Sequence, residues 1–141
     1  REANYRDLAP KVIVEPVVFD ADPNTELKVF CRQGRVKAIK CYLGAPDNTT
    51  SMLYTAAWQP LDATLGTPVS PEIRDRPAAL DRIVEIAEKL AAPFSLVRVD
   101  FYWRGEKLFV GELTHVDHNA TGQIFPPEAT DRVSHLILDP V

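Results

Sequence analysis

The sequence predicts an α+β fold in which an antiparallel sheet packs against helices. Residues 26–43 and 96–114 each alternate apolar and polar side chains on both sides of a short turn, as β-hairpins do. Residues 80–90 instead repeat apolar side chains at helical spacing. Strand-rich segments separated by single helices are typical of the α+β class.

The first predicted element is a strand over residues 11–19, and residues 20–24, which contain Pro and Asp, are the turn that ends it. Glu26–Arg32 and Arg35–Leu43 are then predicted to form a hairpin around Gln33–Gly34. The chain therefore begins with strands, which are expected to build the sheet.

Two cysteines lie on the strands of this hairpin. With a turn at Gln33 and Gly34, Cys31 faces Val36 and not Cys41. We therefore expect two reduced, partly buried thiols, which is also the usual state of cysteine inside the cell.

A strand at 51–56, a proline-containing loop at 61–77 and a helix follow in that order. Pro77 suits the first turn of the helix, which is predicted to stop before Pro93. The apolar face of the helix consists of Leu80, Ile83, Val84, Ala87 and Leu90.

A last helix is predicted to open at Pro126 or Pro127 and to present Val133, Leu136 and Ile137 on its apolar face. The sequence contains no internal repeat and no low-complexity tract. We expect one domain over residues 1–141.

The second hairpin, at 96–114, contains charged residues spaced two apart, which lie on the same face of a strand. Arg98 and Asp100 share one face of the first strand, and Glu112 and Thr114 share one face of the second. A loop of three residues, 105–107, would place Asp100 opposite Glu112 and Arg98 opposite Thr114. A two-residue loop at 104–105 would instead put the acids on opposite faces, so the register decides the site.

Carboxylates paired across two strands lie about 5 Å apart, and their repulsion destabilises the sheet unless a cation lies between them. Two hard oxygen ligands beside an arginine suit magnesium that carries a phosphate. The alternative is a pair of acids on the solvated face of an amphipathic hairpin.

Composition excludes several classes of protein. The 141 residues are 45% apolar and 26% charged, as in ordinary soluble domains, and the net charge of -4 gives no reason to expect nucleic-acid binding. The sequence contains no apolar run of membrane-spanning length and nothing that reads as a signal peptide. A cytoplasmic location is the expectation.

Several segments, taken in order, resemble the TupA-like ATP-grasp family of cell-surface polysaccharide biosynthesis. They read KVIVEPVV, ELKVFCRQGRVKAI, AAWQPL, LDRIVEIAEKLAAPF, LVRVDFYW, LFVGELT and FPPEATDRVSHLI, and together they run from about Pro10 to Leu138. The resemblance implies the C-terminal lobe of the ATP-grasp fold, with ATP and magnesium as cofactors.

The resemblance also implies an adenine site on the first strand. Glu15, Pro16 and Val18 match the segment that holds adenine by main-chain groups, where the Pro16 carbonyl accepts and the Val18 amide donates a hydrogen bond. Glu26 matches the acid that binds the ribose hydroxyls, and Lys28 would reach a phosphate. For Glu26 and Lys28, the alternative is a solvated strand face.

On the second hairpin, the resemblance makes Asp100 and Glu112 the magnesium ligands and Arg98 the catalytic residue that stabilises the transferred phosphoryl group. Thr114 stands where many ATP-grasp enzymes have asparagine. A hydroxyl is a weaker magnesium ligand, which argues against a second metal ion.

The segment after this hairpin, HVDHNATG, is expected either to border the acceptor substrate, with His115 and Asn119 as the contacts, or to be a solvent-facing connection. A transition-metal site at His115, Asp117 and His118 is the alternative, although the spacing matches no standard ligand geometry.

The implied reaction is ATP-dependent activation of a carboxylate as an acyl phosphate, which an amine or similar nucleophile then attacks. The substrate would be a carboxylate or a sugar-linked molecule. A non-catalytic nucleotide-binding or interaction domain is the second hypothesis, and an unrelated α+β domain with surface acids is the third.

The segment before Lys11 has no glycine and no strand pattern, whereas the first lobe of ATP-grasp enzymes supplies a glycine-rich loop over the phosphates. We therefore expect this chain to be the second half of the fold, with the first lobe absent. Such a lobe would bind nucleotide weakly and be inactive alone, with a missing N-terminal lobe or self-association completing the cleft.

Overall fold

The computed structural model describes residues 7, 9–14, 16, 26–43, 46–104, 106–115 and 122–140. These residues form an α+β fold with a mostly antiparallel sheet and two helices, as predicted. In chain order the elements are β1 (Glu26–Arg32), β2 (Arg35–Leu43), β3 (Thr50–Tyr54), β4 (Thr64–Leu65), α1 (Leu80–Ala91), β5 (Leu96–Arg104), β6 (Lys107–Thr114), β7 (Ile124–Phe125) and α2 (Thr130–Leu138).

The main sheet has five strands in the order β3-β2-β1-β5-β6, and every neighbouring pair is antiparallel. β1 lies at its centre, between β2 and β5. This order sets Lys28 of β1 between Lys40 of β2 and Asp100 of β5. The central strand therefore joins the two predicted hairpins into one surface.

The first hairpin forms as predicted. Gln33 and Gly34 have φ angles of 49° and 74°, the left-handed conformation that a tight hairpin turn requires. Cys31 pairs with Val36, and both cysteines are buried and unbonded to each other.

The helix α1 covers one face of the sheet. Its buried residues Leu80, Ile83, Ala87 and Ala91 belong to one apolar cluster with Val29, Val99 and Phe101 of the sheet. The helix begins at Leu80, so Pro77 precedes its first turn and does not lie in it as predicted. The helix ends before Pro93, as predicted, because a proline disfavours helical conformation in the residue before it. Its apolar face also confirms the prediction.

The helix α2 covers part of the opposite face. A 3-10 turn, Pro127–Ala129, leads into it, and its buried Val133 and Ile137 pack in a second cluster with Phe30 and Leu53. This helix contacts β1 and β2 near the Phe30 end of the sheet. Polar side chains occupy the part of the same face that lies beyond α2.

The predicted loop at 61–77 contains the short strand β4, which pairs with β7. The loop is held against the sheet edge by Ser51, whose hydroxyl bonds the hydroxyls of Thr64 and Thr67. The predicted strand at 51–56 is observed as β3, which stops at Tyr54 because a turn follows at Thr55.

The prediction of a strand over residues 11–19 is wrong for residues 11–14. These residues form no regular element, and Val12, Ile13 and Val14 are almost fully exposed. An apolar run becomes a strand only when another strand satisfies its backbone groups, and no described strand pairs with this segment. In the part of the chain that the structure describes, neither helix has the length and apolar character to cross a membrane.

Candidate functional site

The second hairpin places Asp100 opposite Glu112 and Arg98 opposite Thr114, as predicted. The predicted three-residue loop is wrong, however, because Lys107 belongs to β6 and pairs with Arg104. The register then shifts by one residue between Asp100 and Phe101. This bulge, and not a longer loop, brings the two acids together.

Gly111 is the extra residue of the bulge, since Glu112 pairs with Asp100 and Val110 pairs with Phe101. A Cβ atom at Gly111 would lie 2.5 Å from Cε2 of Tyr102. Glycine therefore lets the Tyr102 ring lie close to the β6 backbone beside the acid pair.

Asp100 and Arg98 form a buried ion pair. Arg98 Nε lies 2.6 Å from Asp100 Oδ1, and Nη2 lies 2.7 Å from Oδ2. Asp100 is 2% exposed and Arg98 is 8% exposed. This two-pronged contact fixes both side chains, because the planar guanidinium matches the carboxylate.

Lys28 extends the pair into a network across β1 and β5. Its ammonium lies 2.9 Å from Asp100 Oδ2 and 2.8 Å from Glu26 Oε1. Burial alone would lower the pKa of Lys28, but the hydrogen bonds to Glu26 and Asp100 and the charges of both acids together raise it. Lys28 is therefore held as a cation in a partly buried ion network.

The side chain of Lys28 is only 16% exposed, and that of Glu26 is similarly covered. The solvated strand face that the sequence allowed for both residues is therefore not what the structure shows. We call the group of Glu26, Lys28, Arg98, Asp100 and Glu112 the charged network.

Three residues beside the charged network, Lys40, Tyr42 and Tyr102, were not singled out in the sequence. Lys40 is buried next to Lys28, donates to the Leu65 carbonyl at 2.5 Å, and lies 4.5 Å from the centroid of the Tyr42 ring. Tyr102 pairs with Glu26 across β1 and β5. Strand alternation was the available signal for Tyr102, which has the parity of Asp100. Lys40 pairs with Lys28 only because the register of the first hairpin shifts by one residue between Phe30 and Cys31.

Both tyrosines have a raised phenolic pKa. Burial is the largest cause for each, and the nearby acids add to it while Lys28 opposes it. Tyr42 and Tyr102 are therefore neutral hydrogen-bonding groups at the edges of the charged network at physiological pH.

Asp100 and Glu112 are the candidate cation ligands. Glu112 is exposed, whereas both oxygens of Asp100 contact Arg98 or Lys28. Among the described residues, no three side chains of His, Cys, Asp or Glu converge on a point. Two carboxylates fit magnesium, which keeps several waters and binds through one or two acids plus phosphate, and they do not form a zinc site.

No contact with the charged network is observed for the other two described site residues, His115 and Pro16. His115 is exposed, and its ring meets Phe94 edge-on at 4.8 Å between centroids. Pro16 is exposed and belongs to no regular element. Glu15, Val18 and Asn119 lie outside the described residues, as do the other two members of the metal alternative, Asp117 and His118.

A comparison with protein families matches residues 1–136 of this 141-residue chain to a family model described as TupA-like ATPgrasp. The match includes both hairpins and all five members of the charged network. No curated protein and no solved structure matched the chain.

Proposed function

Because the chain belongs to the TupA-like ATP-grasp family, we propose that its charged network binds ATP with magnesium. The chain would act as the nucleotide-binding lobe of an ATP-dependent ligase. The observation that supports this best is the position of the Arg98–Asp100–Lys28 ion network directly beside Glu112. One surface then offers cations for phosphates and acids for a metal ion.

The basic side chains of the charged network would bind the phosphates of ATP. Phosphoryl transfer passes through a loose transition state, so that catalysis consists mainly of positioning and charge neutralisation. Arg98 would stabilise the transferred group, and Lys28 would bind a phosphate as a point charge. The pKa of Lys28 is raised, so it remains charged for this role at physiological pH.

The acids serve the metal. Asp100 and Glu112 would hold magnesium, which supplies neutralisation of the phosphate charge when it is bound. Arg98 fixes the orientation of Asp100 through both carboxylate oxygens. Lys28 is the contact that Asp100 can exchange most easily, since it is a single hydrogen bond from a flexible side chain.

Glu26 would accept hydrogen bonds from the ribose hydroxyls, and Tyr102 would form the adjoining wall of the nucleotide site. The two residues are direct partners across β1 and β5. An adenine site at Glu15, Pro16 and Val18 stays a prediction of the sequence.

The reaction we propose transfers the terminal phosphoryl group of ATP to a carboxylate oxygen, with ADP as the leaving group. An amine or similar nucleophile then attacks the acyl carbon and displaces phosphate. A carboxylate or sugar-linked substrate and a role in cell-surface polysaccharide assembly follow from the family resemblance and complete the proposal. The cytoplasmic location stays a prediction of the sequence.

A second candidate function is nucleotide binding without catalysis. The observation that favours it is the occupation of both Asp100 oxygens by Arg98 and Lys28, which neutralise the acid without a metal. In that case ATP would bind equally well with magnesium and with a chelator.

Calorimetric titration with Mg-ATP tests the proposal, with Asp100→Asn and Glu112→Gln as variants. Glu106→Gln is the matched control, because it removes one exposed acid near the turn of the same hairpin. We expect saturable binding that weakens at least tenfold in both site variants and is unchanged in the control. Binding that is equal in all four proteins would contradict a magnesium role for the acid pair, and equal binding in a chelator would favour the second candidate.

A further inference from the structure

A cavity of about 320 Å³ lies beside the charged network, between α2, β7 and the ends of β5 and β6. This volume is at the lower end of the range for small-molecule sites. Most of its wall is apolar and comes from Phe30, Leu65, Leu96, Ile124, Ile137 and Leu138. Polar groups enter the wall mainly where Arg98, Thr114 and His115 line it.

Thr114 carries an unpaired hydroxyl at this polar end. Its Oγ1 atom is covered from solvent and has no hydrogen-bond partner among the described residues, and its side chain lines the cavity. A buried hydroxyl without a partner is destabilising, so such groups normally have a ligand or a structural explanation. Rotation between the staggered χ1 positions can turn this hydroxyl into the cavity.

The polar end of the cavity adjoins the candidate phosphate site. Arg98 and Thr114 form one cross-strand pair, and Asp100 and Glu112 form the next pair on the same face. Residues two apart on a strand are separated by about 7 Å. A group held by Thr114 would therefore lie within reach of a phosphate bound at the acid pair.

We propose that this cavity binds a small carboxylate with an alkyl or aryl body. The body fills the apolar part between α2 and β7, and the carboxylate accepts a hydrogen bond from the Thr114 hydroxyl in the field of Arg98. The role of this cavity as the site of the acceptor carboxylate rests on the proposed function. The binding of an amphipathic acid depends on the cavity alone.

The length of the apolar body is expected to determine the affinity of the ligand. Each buried methylene strengthens binding about fourfold, until the cavity is full. Titration of the folded chain with butanoate, hexanoate, octanoate and decanoate is therefore expected to show a rise in affinity that levels off. Affinity that rises without limit, or no saturable binding of any acid, would overturn the proposal.

Two variants test the two halves of the site. Ser134→Leu adds bulk to the cavity wall and is expected to abolish octanoate binding, whereas His135→Leu places the same residue on the exposed side of α2 and should not. Thr114→Val removes the unpaired hydroxyl at constant shape. It should weaken octanoate binding about tenfold while the melting temperature stays level or rises.

Octanoate affinity and melting temperature, measured together for Thr114→Val, distinguish a ligand contact of the hydroxyl from a structural role. Loss of stability together with loss of binding in Thr114→Val would overturn the assignment of the hydroxyl. Octanol in place of octanoate should bind less tightly, and equal binding of the alcohol would exclude recognition of the carboxylate.

Octanoate is titrated first without nucleotide and then with saturating Mg-ATP. If octanoate binds and Mg-ATP does not, the cavity assignment holds and the proposed function fails. If Mg-ATP binds and octanoate does not, the cavity assignment fails and the proposed function holds.

Discussion

Asp100 lies directly opposite Glu112 because one residue of β6, Gly111, has no partner on β5. If the register set by Arg104 and Lys107 continued without this bulge, Asp100 would face Gly111. Glu112 would then pair with Val99 and point toward α1. A single inserted residue therefore brings both acids to one face.

Gly111→Ala is expected to lower the free energy of unfolding by about 1 kcal/mol, because the new Cβ would lie 2.5 Å from Cε2 of Tyr102. The cost stays modest because the half-exposed ring can move aside. Urea denaturation measures it, and the same substitution made together with Tyr102→Ala should cost much less. An equal cost in both backgrounds would show that the backbone, and not the ring, requires glycine.

Asp100→Asn is expected to destabilise the fold by about 3 kcal/mol, because Arg98 and Lys28 would keep their charges in a buried site without the acid. Asp81→Asn is the matched control. Asp81 also lies 2.6 Å from an arginine, Arg76, but both side chains are exposed, so its loss should cost less than about 1 kcal/mol. Equal losses in chemical denaturation would contradict the burial argument.

The sequence predicted local features well and long-range pairing poorly. Both helices and the Cys31–Val36 pairing depend on neighbouring residues and were correct. The contact between Lys28 and Asp100 joins residues 72 positions apart and exists only because β5 pairs with β1. Nothing in either segment specifies that strand order.

The acid pair was predicted for a reason that proved wrong. The expected three-residue loop and the observed bulge give the same register at Asp100, and periodicity alone does not distinguish them. At residues 11–14 the apolar pattern predicted a strand that does not form. No described strand pairs with this segment, and an apolar pattern alone does not supply the partner.

Lys28→Met is expected to destabilise the fold by about 2 kcal/mol at neutral pH, because Glu26 and Asp100 both lose a hydrogen-bonded cation. The pKa of Lys28 is raised above 10.5 in the folded protein, so this contribution is complete below that pH. It should then shrink as the pH rises through the folded pKa. Denaturation of both proteins at pH 8 and at pH 11.5 measures the difference, which must be smaller at the higher pH.

Both cysteines are expected to resist thiol reagents in the folded protein. Burial, and to a lesser extent the charge of Glu88, raise the pKa of Cys31 to about 12, and burial also raises the pKa of Cys41. A thiol-reactive dye at pH 8 should label neither until denaturant is added, and then label both. Rapid labelling without denaturant would contradict the buried positions.

The same raised pKa makes Cys31 a source of pH-dependent stability. The folded protein holds the thiol proton to higher pH than the unfolded chain, whose value is about 9. Stability should therefore fall as the pH rises from about 9 toward 12. Cys31→Ala should show a smaller fall over that range when denaturation of the two proteins is compared.

Glu112→Gln separates binding from stability better than any other change in the charged network. Glu112 is exposed, so its loss should change the free energy of unfolding by less than about 0.5 kcal/mol. A ligand at a hundred times its dissociation constant stabilises the folded state by about 2.7 kcal/mol, which raises the melting temperature by several degrees. The wild type should show that rise with Mg-ATP, and Glu112→Gln should show little of it at the same concentration. Because the unliganded proteins should melt at the same temperature, any difference between them with Mg-ATP reports on the ligand alone, and an equal rise in both would remove Glu112 from the site.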